Sequence, residues 1–186
     1  MTTTSRTQYV VLGLLTLRPM SGYGLKKEIE GSVGYFWQES YGQLYPTLRK
    51  LDAAGLIELE VENPDGRGKK VYRITDEGRA ALREWLEEPP APQPVRNELL
   101  LKLFLGFNTS TEVLEKHLKR ALDHFLELAE TYDRIARELD QKPDPTREDV
   151  VGRLTVDFGI HRVRAGAEWA ESALERLRSE EGGGGN

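Results

Sequence analysis

Apolar residues crowd together between Gln8 and Leu17 and stop at Pro19, a pattern that predicts a mostly buried helix. Ser21 is placed to cap a second helix reaching about Gly31, with Leu25 and Ile29 one turn apart and Gly31 and Gly34 ending it. A third helix is predicted from Ser40, where Ser40 and Gln43 have the spacing of a capping box. Its Leu44, Leu48 and Leu51 share one face, and Gly55 stands where a glycine closes a helix. The pattern then alternates: Ile57, Leu59 and Val61 are interleaved with Glu58, Glu60 and Glu62, the mark of a half-buried strand. Asn63-Pro64-Asp65-Gly66 is turn chemistry, and Lys70 to Ile74 reads as the returning strand. Thr75 caps a fourth helix running to about Glu88, with Asp76 and Glu77 favourably placed in its first turn.

Pro89 to Pro94 reads as a stiff linker and gives the chain its division: a first domain over 1–88, a linker over 89–95, a helical domain over 96–181 and an unstructured tail over 182–186. Asn97 to Gly106 is apolar on nearly all sides and is expected to be buried. Thr109 and Glu112 have capping-box spacing. Leu114, Leu118, Ala121, Phe125, Leu128, Tyr132, Ile135 and Leu139 then alternate spacings of four and three, a heptad seam. The short first domain offers no adequate partner for it, so the seam is expected to pair two copies of the chain. Lys142-Pro143-Asp144-Pro145 breaks the helix, and a last one follows from about Thr146. Leu154, Phe158, Ala165, Trp169, Ala173 and Leu177 lie roughly on one side of it, and Leu154, Phe158 and Trp169 join the expected dimerisation surface.

The chain is 38% hydrophobic and 31% charged, enough to bury a core and stay in water. It has no cysteine, which excludes disulfides and thiolate metal sites. Met1 to Thr7 is short and polar, and the greasiest run, Leu99 to Phe107, is too short for a bilayer and contains Lys102, so a cytoplasmic protein is expected. The net charge of −5 argues weakly against nucleic acid. Its distribution changes that picture. Residues 1–88 hold 12 Lys and Arg against 13 Asp and Glu, and their bases cluster. Arg67, Lys69, Lys70 and Arg73 lie in a stretch without an acid, and so do Arg49 and Lys50 between Ser40 and Leu51.

The order helix, helix, helix, strand, turn, strand, helix is that of a winged helix-turn-helix, so the expected architecture is mainly α with a small β-hairpin, followed by an α-helical coiled-coil dimerisation domain. With its leucines turned inward, the third helix presents Gly42, Gln43, Pro46, Arg49 and Lys50 outward: small residues, an amide for base edges and two cations, a face that fits the major groove of DNA. The basic hairpin through Arg67, Lys69 and Lys70 is then the wing, placed for phosphate or the minor groove. Pro46 conflicts with a helix that starts at Ser40, because a proline inside a helix costs about 3 kcal/mol.

Ser21-Gly22-Tyr23-Gly24-Leu25, Gly42-Gln43-Leu44-Tyr45-Pro46-Thr47-Leu48-Arg49-Lys50-Leu51, Gly55-Leu56-Ile57 and Tyr72-Arg73-Ile74-Thr75-Asp76-Glu77-Gly78 together resemble the PadR family of transcriptional regulators. Glu98 to Phe104 and the two long helices resemble its larger subfamily, whose C-terminal part is like that of virulence activators. The resemblance implies a homodimer held by its C-terminal helices, a palindromic operator and, in the commoner mode, repression. It puts Tyr41, Gly42, Gln43, Tyr45, Pro46 and Arg49 on the reading helix. Tyr23, Ser40 and Lys50 complete the candidate DNA contacts there.

Other chemistries are weaker. His117 with His124, and Asp157 with His161, sit at helical spacings, but there is no His-Glu-x-x-His and no thiolate, so no metal or cofactor is expected. No nucleophile elbow or phosphate loop appears, and no enzyme is expected. Trp85 and Trp169 are candidates for a pocket taking a small hydrophobic or aromatic effector, though packing between helices explains them as well. The competing functional reading is a winged helix used only to bind protein, favoured by the acidic total charge and opposed by the basic wing.

Overall fold

The computed structural model describes residues 6–37, 41–62, 69–92 and 96–183, and the chain divides into two compact units, residues 1–93 and 94–186. The first contains α1 (Thr7–Leu17), β1 (Met20–Ser21), α2 (Gly22–Gly31), α3 (Leu44–Ala53), β2 (Ile57–Glu62), β3 (Lys69–Ile74) and α4 (Asp76–Glu87), with 3-10 turns at Val33–Tyr35 and Tyr41–Gln43. Its core joins Val11, Leu12 and Leu15 of α1, Leu25 of α2, Leu44, Leu48 and Leu51 of α3, Ile57 and Ile74 of the sheet, and Leu82 of α4. The sheet is antiparallel in the order β1-β3-β2, registered through Met20↔Tyr72 and Ile57↔Ile74. The sequence pattern predicts two strands; the third is β1, two residues long and too short to leave an alternating signature. Ser21 serves twice there. It pairs opposite Val71, and its Oγ accepts the Gly24 N–H at 3.1 Å, capping α2.

The third helix starts later than expected. Regular α3 begins at Leu44, with Gln43 as its N-cap and no side-chain capping bond. The expected capping box is therefore not the start of this helix, and Ser40 lies outside the described residues. The shift removes the conflict at Pro46, now the third residue of the helix, among positions whose N–H has no intrahelical acceptor. At the other end Gly55 has φ +71°, its N–H bonds Asp52 O at 2.9 Å, and the Leu56 N–H bonds Leu51 O at 2.9 Å, a Schellman closure. In β2 Ile57 is buried while Leu59 is exposed; the Asn63–Gly66 turn lies outside the described residues.

The second unit contains α5 (Glu98–Phe104), a 3-10 turn at Gly106–Asn108, α6 (Thr111–Asp140) and α7 (Arg147–Gly183). The N-cap of α6 is Ser110, one residue beyond the expected Thr109, and it makes no side-chain capping bond. At α7 the caps are reciprocal: the Thr146 N–H donates to Asp149 Oδ2 at 2.9 Å, and the Asp149 N–H donates to Thr146 Oγ1 at 3.2 Å. α7 continues through Gly183, into the segment expected to be an unstructured tail.

α6 and α7 form an antiparallel hairpin, stapled by Arg153–Asp140 (2.9 Å), Arg164–Asp133 (2.9 Å) and Arg178–Glu115 (3.2 Å). Here part of the heptad seam finds a partner that the sequence reading did not foresee. Much of it is covered within the chain by Val156, Ile160, Val163, Ala167, Ala170 and Leu174 of α7, and Leu118 and Tyr132 are buried. Gly159 and Gly166 let the helices close, because a Cβ there would come within 2.5 Å of the Tyr132 ring and 2.8 Å of the Phe125 ring. Of the segment Asn97 to Gly106, expected to be buried, only Gly106 is buried in the single chain. No α5 residue is buried, and Phe104 and nearby Phe107 are 78% and 82% exposed.

Candidate nucleic-acid interface

α2 and α3 form the helix-turn-helix, and α3 presents a divided surface. Leu44, Thr47, Leu48 and Leu51 are buried, while Gln43, Tyr45, Arg49 and Lys50 are exposed and Pro46 is half-buried. Gln43 is the N-cap yet spends no hydrogen bond on capping, so its amide stands exposed at the leading end of the helix without a partner among the described residues. Tyr45 is 56% exposed, but its ring also lies over Gly22, where a Cβ would meet the ring at 2.8 Å. Gly22 therefore allows α2 and α3 to approach. Tyr23, in the first turn of α2, is exposed, with the Lys27 ammonium 5.9 Å from its ring centre.

Charge on this unit is sorted by pairing. Arg18 bonds Glu28 at 2.7 Å, and Arg73, part of the basic run in the sequence, bonds Glu60 at 2.8 Å and lies 4.0 Å from Glu58. Arg49, Lys50 and Lys70 form no ion pair with the described residues. Among the described side chains, these cations of α3 and β3 thus remain unneutralised. Behind them sits Tyr72. Burial pushes its phenol above the ordinary value, Asp52 and Tyr45 push the same way, and Arg49 opposes them. Ser40 and Arg67 lie outside the described residues, as do the side chains of Tyr41 and Lys69.

A latch fixes α3 against α4. Thr75 Oγ1 donates to Gly55 O at 2.7 Å, the Thr75 N–H donates to Leu56 O at 3.2 Å, and the Gly78 N–H donates to Thr75 Oγ1 at 3.1 Å. Gly78 presses so closely on this junction that a Cβ would lie 2.1 Å from Leu56 O.

Two family models divide the chain between them: the transcriptional regulator PadR-like family over residues 11–84 and the virulence activator alpha C-terminal domain over residues 95–178. The negative transcriptional regulator PadR of Bacillus subtilis is 26% identical over 91% of this chain and 96% of its own. Its structure in complex with operator DNA superposes with a TM-score of 0.82 at 25% identity, covering 93% of this chain and 98% of that one. Its complex with p-coumaric acid superposes with a TM-score of 0.73 at 26% identity, over 92% of this chain and 94% of that one. The virulence activator AphA of Vibrio cholerae is 30% identical, with a TM-score of 0.75 over 93% of this chain and 98% of its own. The chain belongs to the PadR-like family of transcriptional regulators. The competing reading of a winged helix that binds only protein draws no support from these relatives.

Within the PadR-like unit, the motif glycines Gly22, Gly55 and Gly78 have structural work: a helix crossing, a left-handed turn and the latch. Sequence reading assigns a job only to Gly55, because a Cβ clash depends on a neighbour distant in sequence. It also misses a cavity of about 430 Å³ inside the winged unit, lined by Tyr9, Trp37 and Trp85 among others. Trp85 is expected from sequence as a possible pocket residue; Trp37 is not, since a lone tryptophan between helices carries no spacing signal. Trp169, the other tryptophan expected at a pocket, lies in the second unit. Among the described residues no group of three or more His, Cys, Asp or Glu could hold a metal ion, and no helix is long and apolar enough to cross a membrane.

Proposed function

We propose that this PadR-like chain is a cytoplasmic DNA-binding repressor that reads a palindromic operator as a homodimer and answers to a small aromatic effector. The observation that carries the reading is the exposed face of α3, where Gln43 leads the helix and Arg49 and Lys50 stand without ion-pair partners among the described residues, with Lys70 on β3 likewise unpaired. Arginine pairs with guanine and glutamine with adenine in two-bond geometry, and unneutralised cations are what phosphate contact requires. The crystallised complex of Bacillus subtilis PadR with operator DNA supports DNA as the target, its complex with p-coumaric acid supports an effector, and its description as a negative regulator supports repression. Tyr23, Ser40, Tyr41, Arg67 and Lys69 join the proposed contact set.

The dimer reading rests on the surface left over after α6 and α7 have packed. On α7, Leu154 and Phe158 are 64% and 67% exposed and Trp169 is exposed, and α5 shows Leu100, Leu101 and Phe104. Apolar surface of this kind in one chain is what a second copy covers. Fluorescence anisotropy with DNA from the protein's own promoter region tests the function: saturable, salt-sensitive binding that unrelated DNA does not match is expected, and equal affinity for both overturns it.

A further inference from the structure

The junction between α3 and the sheet gathers polar groups that core packing does not require. Tyr45, Arg49 and Asp52 follow one another at helical spacing, so they form one stripe of α3 beside the buried stripe of Leu44, Leu48 and Leu51. All three are exposed. Tyr72 stands on the central strand, opposite Met20 on one side and Leu59 on the other. It alternates with Ile74, which lies in the core with the α3 leucines, so it stands on the face of the sheet turned toward α3. Its half-buried ring packs against that core. Lys70 follows on the same face of β3, exposed. Burial first, then Asp52 and Tyr45, hold the proton on the Tyr72 phenol more firmly, and Arg49 opposes them, so the hydroxyl is a donor set among the groups of the stripe. Among the described residues the side chains of Arg49, Asp52 and Tyr72 form no hydrogen bond or ion pair. Arg49 and Asp52 are three residues apart on the helix, where opposite charges attract. A guanidinium drawn to Asp52 turns toward the C-terminal end of α3, away from the leading end that reaches base edges.

We propose that Tyr72 is a positioning residue for DNA reading: its hydroxyl engages the Asp52 carboxylate and so leaves the Arg49 guanidinium to the base it reads. Asp52 is exposed, so its carboxylate can swing to the phenol without disturbing the core. A hydroxyl donating to a charged acceptor makes a bond about twice as strong as a neutral one, enough to occupy the anion that competes for Arg49. One side chain thereby sets the strand that carries Lys70 and the helix that carries Arg49 to the same task. This role rests on the DNA reading proposed above, and Tyr72 itself touches no base in it.

Binding-site selection with the full chain tests the role. Arg49→Ala first marks the base pair that Arg49 reads. Tyr72→Phe should lower the preference at that same base pair by about fivefold or more and leave the other positions unchanged. Its melting temperature should hold, because the hydroxyl it removes has no partner among the described residues. Asp52→Asn alone should leave the preference intact, and Asp52→Asn added to Tyr72→Phe should restore it, since a neutral amide competes weakly for a guanidinium. A tyrosine that only packs would show no such rescue. Unchanged selection in Tyr72→Phe, a loss spread over all positions, or a loss that Asp52→Asn does not repair overturns the role. So does a loss from Asp52→Asn alone, which would make the aspartate a support for Arg49 instead of its competitor. The NMR signal of the Arg49 Nε–H, recorded without DNA, is the second measurement. Tyr72→Phe should shift it and slow its exchange with water, and Asp52→Asn should reverse both; identical signals in wild type and Tyr72→Phe overturn the role. A wild-type chain with no preference at any position counts against the DNA-reading proposal, and the Arg49 signal still decides whether Tyr72 governs the Arg49–Asp52 pair.

Discussion

Gln43 and Arg49 are the residues on which sequence discrimination is proposed to rest, and they can be separated from residues that only hold the fold. Gln43 makes no capping bond, so Gln43→Ala should leave the melting temperature unchanged while relaxing preference at one base pair of each half-site. Arg49→Ala should do the same at another, each costing about 1–3 kcal/mol of discrimination in a binding-site selection experiment. A lower melting temperature with intact selectivity for Gln43→Ala would return that residue to a structural role. Gly78 makes the opposite prediction. Replacing glycine by alanine inside a helix ordinarily stabilises by about 1 kcal/mol. Here the new Cβ would lie 2.1 Å from a backbone carbonyl that is itself bonded to Thr75, so the clash wins. Gly78→Ala should destabilise the winged unit by about 1–3 kcal/mol, measured by chemical denaturation. Gly55 was legible in the sequence because a left-handed turn after an apolar helix is a local feature. Gly78 and Gly22 were not, because their reason lies in the carbonyl and the ring they face.

The elements were legible wherever periodicity set them. The leucine face of α3, the strand β2 and the Thr75 cap of α4 all follow from spacing, though Leu59 is exposed where the alternation expected it half-buried, and the order of the winged helix followed from them. Helix starts were harder. Ser40 with Gln43 and Thr109 with Glu112 both have capping-box spacing, yet α3 starts at Leu44 and α6 is capped at Ser110. A capping spacing occurs often by chance; Pro46, whose N–H is missing, was the better guide to where α3 could begin. The reciprocal cap at Thr146 and Asp149 gives a pH prediction. Lys142, then the Thr146 hydroxyl and N–H, hold the Asp149 carboxyl at about 2, below its ordinary 3.8. A depressed carboxylate contributes stability that is full above its unfolded value and is lost as pH falls through the folded one. The first turn of α7 should therefore loosen between about pH 4 and pH 2, and Asp149→Asn should abolish that transition in an NMR titration. On the β side, replacing Arg67, Lys69 and Lys70 together with alanine should flatten the salt dependence of DNA binding by roughly one unit of slope for each phosphate these side chains neutralise. An unchanged slope takes the hairpin off the DNA.

At the scale of the whole molecule, the heptad seam predicted helix pairing, and part of that pairing is made within the chain. Period alone cannot say whether a seam meets another chain or the next helix of its own, and here α7 carries a second seam, Val156 to Leu174, that meets α6 within the chain. What remains for a second copy is the outward face of α7 and the apolar surface of α5. Phe158→Asp with Leu154→Asp should leave the chain folded and shift it from dimer to monomer in sedimentation at micromolar concentration, since both side chains are exposed in one chain. A dimer that survives both changes moves the interface elsewhere. A twofold pair of α3 helices would engage half-sites about 10 bp apart, or a multiple of that spacing. The most direct test of the central claim is the affinity of the full chain for DNA from its own promoter region against scrambled DNA of equal length, measured across salt for wild type and Arg49→Ala. The α3 reading predicts at least about a thousandfold preference for the promoter site, steep salt dependence on both DNAs, and a preference reduced by Arg49→Ala without loss of binding to the scrambled DNA. Equal affinity for the two DNAs, or a preference that Arg49→Ala leaves intact, would contradict it.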